Sequence, residues 1–169
     1  MTKIDRIIKA ENLLRKGVDP RKIFSSIRGV SREDDSLDYF TVSLPYVGDN
    51  WLVKGELLDR DIWYTSAGIF KNGRCTVKMG EDYNWIKEDG SILIPDEWFE
   101  STKDFNDAGV ALGKLNGKFG WFGLEGELIS EYWYSSVKPI NQHPNFFTIR
   151  EKDLGYNICK SDGKPILPR

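Results

Sequence analysis

The sequence predicts a mainly β protein of four tandem units, each about 36 residues long, behind a short helical N-terminus. Three series of residues carry that reading. The turn glycines Gly55, Gly90, Gly126 and Gly163 are spaced 35, 36 and 37 residues apart. The pairs Trp63-Tyr64, Trp98-Phe99 and Trp133-Tyr134 recur every 35 residues, and Phe70, Phe105 and Ile140 repeat at the same interval.

The elements follow in chain order. Ile4, Ile7, Ile8 and Leu14 form an apolar stripe with helical spacing that stops at Gly17. Asp19-Pro20 then reads as an N-cap with proline at the first helical position, opening a second helix with Ile23, Phe24 and Ile27 on one face and Gly29 at its end. Residues 1–30 are thus expected to form a helical cap or arm, 31–38 a polar linker, and 39–169 the repeat domain.

Within the repeats, residues 39–44, 73–78, 109–115 and 145–150 read as first strands. Tyr83-Asn84-Trp85-Ile86, Phe119-Gly120-Trp121-Phe122 and Tyr156-Asn157-Ile158-Cys159 read as second strands, with Asn50-Trp51-Leu52 as a shorter copy. Residues 92–94, 128–129 and 166–167 read as third strands, each preceded by a turn whose glycine takes positive φ without a Cβ clash. Asn116-Gly117 is a further hairpin turn. The expected architecture is an antiparallel meander, solenoid-like, with closure into a propeller-like ring left open. Each unit is too small to bury its own apolar face.

These units resemble the WG-repeat family, whose motif runs aromatic-Gly, two apolar residues, a polar residue, a turn glycine and a strand ending in Ile-Pro. Phe119-Gly120 occupies the Trp-Gly position. Tyr83-Asn84 and Tyr156-Asn157 replace it, asparagine sharing glycine's tolerance of left-handed backbone, and the ending stands at Ile94-Pro95 and Leu167-Pro168. The resemblance covers residues 38–169 and implies stacked β units in interaction roles, with no shared catalytic residues. Choline- and cell-wall-binding repeats also pair aromatics with glycine, but at a shorter period.

Composition narrows the function classes. The 169 residues carry a net charge of −2 with 13% aromatics, which argues against a general nucleic-acid binder. Residues 1–29 hold eight Lys/Arg against three acids, leaving the rest at −7. That acidic body suits a basic protein partner, and the basic leader suits docking on it. The helix-turn-helix look of Arg21, Lys22, Ser25 and Arg28 lacks a third helix. No apolar run spans a bilayer and the N-terminus lacks a secretory pattern, so a cytoplasmic location is expected.

Chemistry-bearing residues are few. A lone histidine, His143, cannot make a multi-histidine metal site, so no metal and no cofactor are expected. Cys75 and Cys159 fall at small and apolar repeat positions and read as buried hydrophobes. The phosphate-loop look of residues 109–115 fails in spacing and falls on a strand. Asp89, Glu125 and Asp162 recur at the turns and read as turn formers.

One surface feature is expected. Neighbours in a strand point to opposite faces, so if Trp63, Trp98 and Trp133 face the core, then Tyr64, Phe99 and Tyr134 form a row on the other side. That row is the candidate binding site, with ordinary core as the alternative. The function expected is a non-enzymatic protein–protein interaction module of the immunity or host-factor-inhibitor kind, from a bacterium, phage or mobile element. Recognition of a glycan or cell-wall ligand by the aromatic row, and an Asp/Glu-based hydrolase, are the alternatives.

Overall fold

Apolar side chains on alternate strand positions and glycines at tight reversals produce short antiparallel strands. A computed structural model describes residues 1–29, 39–130, 133–151 and 155–166. The expected linker, Tyr132 and the Leu167-Pro168 ending lie outside the described residues.

The chain starts with helix α1 (Lys3–Arg15), opened by a reciprocal Thr2–Asp5 capping box and closed before Gly17, which sits at φ 71°. A single 3₁₀ turn follows at Pro20–Lys22, where the Asp19 carboxylate accepts the Arg21 N–H.

Four antiparallel sheets come next. The first holds β1 (Ser26–Arg28), β2 (Tyr39–Leu44), β3 (Gly48–Val53) and β4 (Glu56–Leu57). The second holds β5 (Ser66–Ala67), β6 (Arg74–Met79) and β7 (Asp82–Lys87), and the third β8 (Ser101–Thr102), β9 (Ala111–Leu115) and β10 (Lys118–Phe122). The fourth holds β11 (Ser136–Ile140), β12 (His143–Glu151) and β13 (Gly155–Lys160). Among the described residues the sheets do not close into a barrel or propeller.

Two expectations are corrected. The second helix is only the 3₁₀ turn. Ile27 lies in β1, which pairs with β2 through Ser26↔Ser43 and Arg28↔Thr41; the main-chain groups past Phe24 find partners in that edge and none along a helix. The third strands shrink to single bridges, Ile86↔Ile92, Phe122↔Leu128 and Cys159↔Pro165, and only β4 pairs over two residues. The turn explains the contrast. Lys54 and Gly55, at φ 52° and 84°, make a two-residue hairpin, whereas the other three turns carry one residue more and end in a bulged glycine.

In those three, Gly90, Gly126 and Gly163 lie at φ 84°, 85° and 77°, and each donates its N–H to the carbonyl three residues back. In each the chain then returns to its second strand: Leu93 donates to Trp85, Ile129 to Trp121 and Ile166 to Ile158, all at 2.8 Å.

Every hairpin has two faces, and the cores lie between sheets. Opposite residues share a face, so Cys75/Ile86 and Val77/Asn84 point one way while Thr76/Trp85 and Lys78/Tyr83 point the other. Trp51 packs with Tyr64, Ala67, Cys75, Val77 and Ile86. Trp85 packs with Phe99, Phe105, Ala111 and Phe122, and Trp121 with Tyr134, Ile149 and Cys159. Each tryptophan thus leaves its own sheet to fill the core against the next. In the first core no such tryptophan exists, and Ile7 and Ala10 of α1 pack on Phe24, Val42, Leu44 and Leu52 instead. The buried line of α1 is therefore Ile7 and Ala10, with Leu14 half-buried, while Ile4 and Ile8 face solvent at 67% and 44% exposure.

Candidate functional site

The aromatic row is core. Tyr64, Phe99 and Tyr134 are 3%, 1% and 0% exposed, so they offer no accessible binding surface. They are buried because each sits where the main chain crosses between sheets. Tyr64 exchanges both backbone bonds with Asp49 of β3, and Thr65 then donates to Lys78 of β6. Phe99 and Glu100 do the same with Tyr83 and Lys114, and Tyr134 and Ser135 with Phe119 and Arg150. Their partners in the pairs divide: Trp63 is buried, and Trp98 and Trp133 are half-buried. Burial raises the Tyr64 hydroxyl to about 12.

Gly90, Gly126 and Gly163 are inter-sheet contacts as well as turns. A Cβ on Gly163 would lie 2.7 Å from the Trp121 ring, and one on Gly126 3.0 Å from Ile94, whereas one on Gly55 would meet nothing within 4 Å. Asp89 and Asp162 accept the N–H two residues on, at Ser91 and Lys164, and the Ser91 hydroxyl also donates to Asp89, holding its carboxyl below the usual range. Glu125 instead pairs with Arg74 at 3.1 Å.

Sequence reasoning missed two features. Asn50 and Asn84 are not in left-handed backbone; they are buried strand residues that act as latches. Asn84 donates to the Ile94 and Glu97 carbonyls at 2.8 and 2.7 Å while its Oδ1 accepts the Trp85 N–H. Asn50 does likewise with Asp59, Ile62 and Trp51. At Gly120, where a side chain would strike Leu128, the Ser130 hydroxyl accepts the Trp121 N–H instead. The recurring Asn-Trp dipeptide was the available signal.

Ile23-Phe24-Ser25-Ser26 is the second. Phe24 is 5% exposed and Ser25 donates to Ser43, so this segment meets β2 as Trp63-Tyr64-Thr65-Ser66 meets β6. The missing tryptophan at position 23 and the longer interval to Tyr64 hid it.

Nucleophile chemistry finds no geometry. Cys75 and Cys159 are 1% and 0% exposed; burial pushes both thiols up, Cys159 to about 11, so neither holds appreciable thiolate at neutral pH. The buried indole N–H groups of Trp51 and Trp121 have no oxygen acceptor, and these sulfurs stand beside them. His143 is exposed at the start of β12. Among the described residues no three His, Cys, Asp or Glu side chains converge, and no helix is long and apolar enough to cross a membrane.

Two concave or open places remain. A cleft of about 700 Å³ lies between α1 and the first turn, lined by Leu14, Arg15, Lys54, Glu56 and the ion pair Arg60–Glu11 at 3.3 Å. Among the described residues nothing packs over the outer face of the fourth sheet. Ile158 stands there in place of tryptophan, and Tyr156, the counterpart of half-buried Tyr83, is 75% exposed.

No protein-family profile matches the chain, and no curated protein does. A protein of unknown function from Bacteroides caccae, known by crystal structure, is similar at 15% identity with a TM-score of 0.33. The match covers 85% of this chain and 65% of that one, so this chain spans just under two thirds of its length. Likeness at that level carries no argument about fold or activity.

Proposed function

We propose that the four sheets are copies of one unit, a divergent form of the WG repeat, and that the protein is a non-enzymatic protein–protein interaction module of the cytoplasm. Three cross-strand pairs support common descent of the units: Lys78 lies 5.3 Å from the Tyr83 ring, Lys114 5.8 Å from Phe119, and Arg150 5.4 Å from Tyr156. The single observation behind the interaction reading is the fate of the recurrent side chains. Tryptophans, crossing aromatics, thiols and asparagine latches are taken up in holding sheets together, while charged flanks and, among the described residues, the outer face of the fourth sheet reach solvent. Solenoids of this kind act by presenting surfaces. The acidic average beyond residue 29 supports a basic target on the flanks, and an immunity or inhibitor role belongs to the same reading.

The test is reconstitution. A partner captured by the tagged chain, then purified separately, should form a complex of fixed stoichiometry in sedimentation velocity. Turnover of a substrate panel by the chain alone, or captured candidates that all fail to re-form a complex, would refute it.

A further inference from the structure

Up to three things reach a sheet end from the chain that follows: the first at all three inner junctions, the second at two of them, since Leu112 lies opposite Trp121 in the third sheet, and the third at the junction of the second and third sheets. The first is an extended crossing segment, whose aromatic residue pairs through its backbone with the second strand. Tyr83 exchanges both bonds with Phe99 at 2.9 Å, and Asp49 and Phe119 do the same with Tyr64 and Tyr134. The second is a hydrogen bond to the threonine opposite the tryptophan: Thr41 donates to Gly68 and Thr76 to the Asp104 carboxylate at 2.7 Å. The third is carboxylates for outlying cations. Arg74 meets Glu125 at 3.1 Å, and Lys71 meets Asp107 at 3.5 Å.

The fourth sheet repeats the receiving side. Thr148 lies opposite Ile158, Arg150 opposite Tyr156 and Phe146 opposite Lys160, in the register of Thr76/Trp85, Lys78/Tyr83 and Arg74/Lys87. Among the described residues nothing pairs with the outer backbone edge of Tyr156. Among the described residues no carboxylate lies within ion-pair distance of Lys138, Arg150 or Lys160, all exposed.

We propose that this end of the molecule docks an extended acidic segment of a partner protein, with an aromatic residue at its centre, added beside β13 as residues 97–100 are added beside β7. Strand addition satisfies the open edge at Tyr156. The aromatic ring covers Ile158 and Thr148, and flanking carboxylates meet Lys138, Arg150 and Lys160. A second copy of this chain is disfavoured as the occupant. Face-to-face packing would set the same three cations of each copy against one another, and head-to-tail packing meets a first sheet already covered by α1. The inference rests on the interaction-module reading and narrows it, replacing a basic target by an acidic one at this end.

The probe is a blocked peptide with the sequence of residues 94–102, which carries Asp96, Glu97, Trp98, Phe99 and Glu100. Titrated into the full-length protein at millimolar concentration, it should shift the amide resonances of Tyr156 and Ile158 and of residues near them in β12. R150E with K160E should weaken binding about tenfold, and Tyr156→Ala several-fold. Lys9→Glu on α1 should leave it unchanged. Each altered residue is exposed, and an unchanged far-ultraviolet circular dichroism spectrum shows that the variants fold.

Equal binding of a peptide with lysine at 96, 97 and 100 would overturn the proposal. So would shifts confined to the cleft beside α1, the absence of shifts, tighter binding of a single-stranded oligonucleotide at the same residues, or dimerisation abolished by R150E. None of these outcomes touches the wider reading, which falls on turnover by the chain alone or on captured partners that all fail to re-form a complex.

Discussion

The first and the fourth sheets are both antiparallel hairpin sheets, and they are finished differently. At the N-terminal end the first sheet faces α1, whose Ile7 and Ala10 occupy the place of a preceding tryptophan, while Phe24 and β1 imitate the crossing segment of a preceding unit. At the fourth sheet the same register is present, but among the described residues nothing packs over it, with half-buried Ile158 and an exposed Tyr156. A stack of β units must stop somewhere, and each uncovered face is a liability for edge pairing. Among the described residues a helix covers the first sheet, while the outer face of the fourth carries cations. The difference separates a packed face from the one on which docking is proposed.

The widest gap should appear between an inner tryptophan and its terminal counterpart. Trp85→Ala removes a fully buried ring packed on Phe99, Phe105 and Phe122 and should cost about 4 kcal/mol, against about 1 kcal/mol for Ile158→Ala. Urea midpoints at constant slope would measure both, and equal losses would mean the terminal face is as well packed as an inner one. Next come the phenylalanines at the two ends. Phe24→Ala should cost about 3 kcal/mol and Phe146→Ala less than about 1 kcal/mol, because only Phe24 belongs to a buried core.

Glycine substitutions sharpen the contrast further. Gly55→Ala meets only the strain of positive φ, about 1 kcal/mol, whereas Gly163→Ala adds a collision with Trp121 worth about 1–3 kcal/mol more. A thermal melt comparing the two variants reads the difference directly.

The smallest effect is alkaline. Tyr64 titrates at about 12 when folded and at 10.0 when free, and Cys159 at about 11 against 9.0. Between each pair of values the unfolded chain has lost a proton that the folded chain keeps, so stability falls as pH rises. The thiol contribution disappears between pH 9 and 11, and the phenol contribution between pH 10 and 12. Tyr64→Phe should flatten the upper part of that decline in denaturation curves taken across the range.

Much of this was legible in the residues. The glycine series located the turns because φ near 84° admits few other residues, and Asn116-Gly117 marked its hairpin, with both residues at positive φ. The strand at 39–44 was legible with its bounds, and the segment 83–86 falls inside Asp82–Lys87. What misled was local chemistry that tertiary pairing overrode. Asp19-Pro20 does start a helical turn, yet the main chain past Phe24 finds a better partner in β2 than in a second turn. The aromatic pairs were found, but alternation alone does not say which member crosses between sheets; both sides of such a crossing are covered, so Tyr64, Phe99 and Tyr134 vanish into the core. The open end could not be seen either, since its meaning lies in what fails to pack there.

The crossing residues carry one more implication. Tyr64, Phe99 and Tyr134 each hold the sheet before and the sheet after through the same main-chain bonds, so the three joints share one backbone form. Excising residues 64–98 would bring Trp63 directly before Phe99 and set Trp51 against the surroundings that Trp85 now enjoys. If the crossings are equivalent joints, a chain shortened in this way should still fold cooperatively, and a thermal melt would show it.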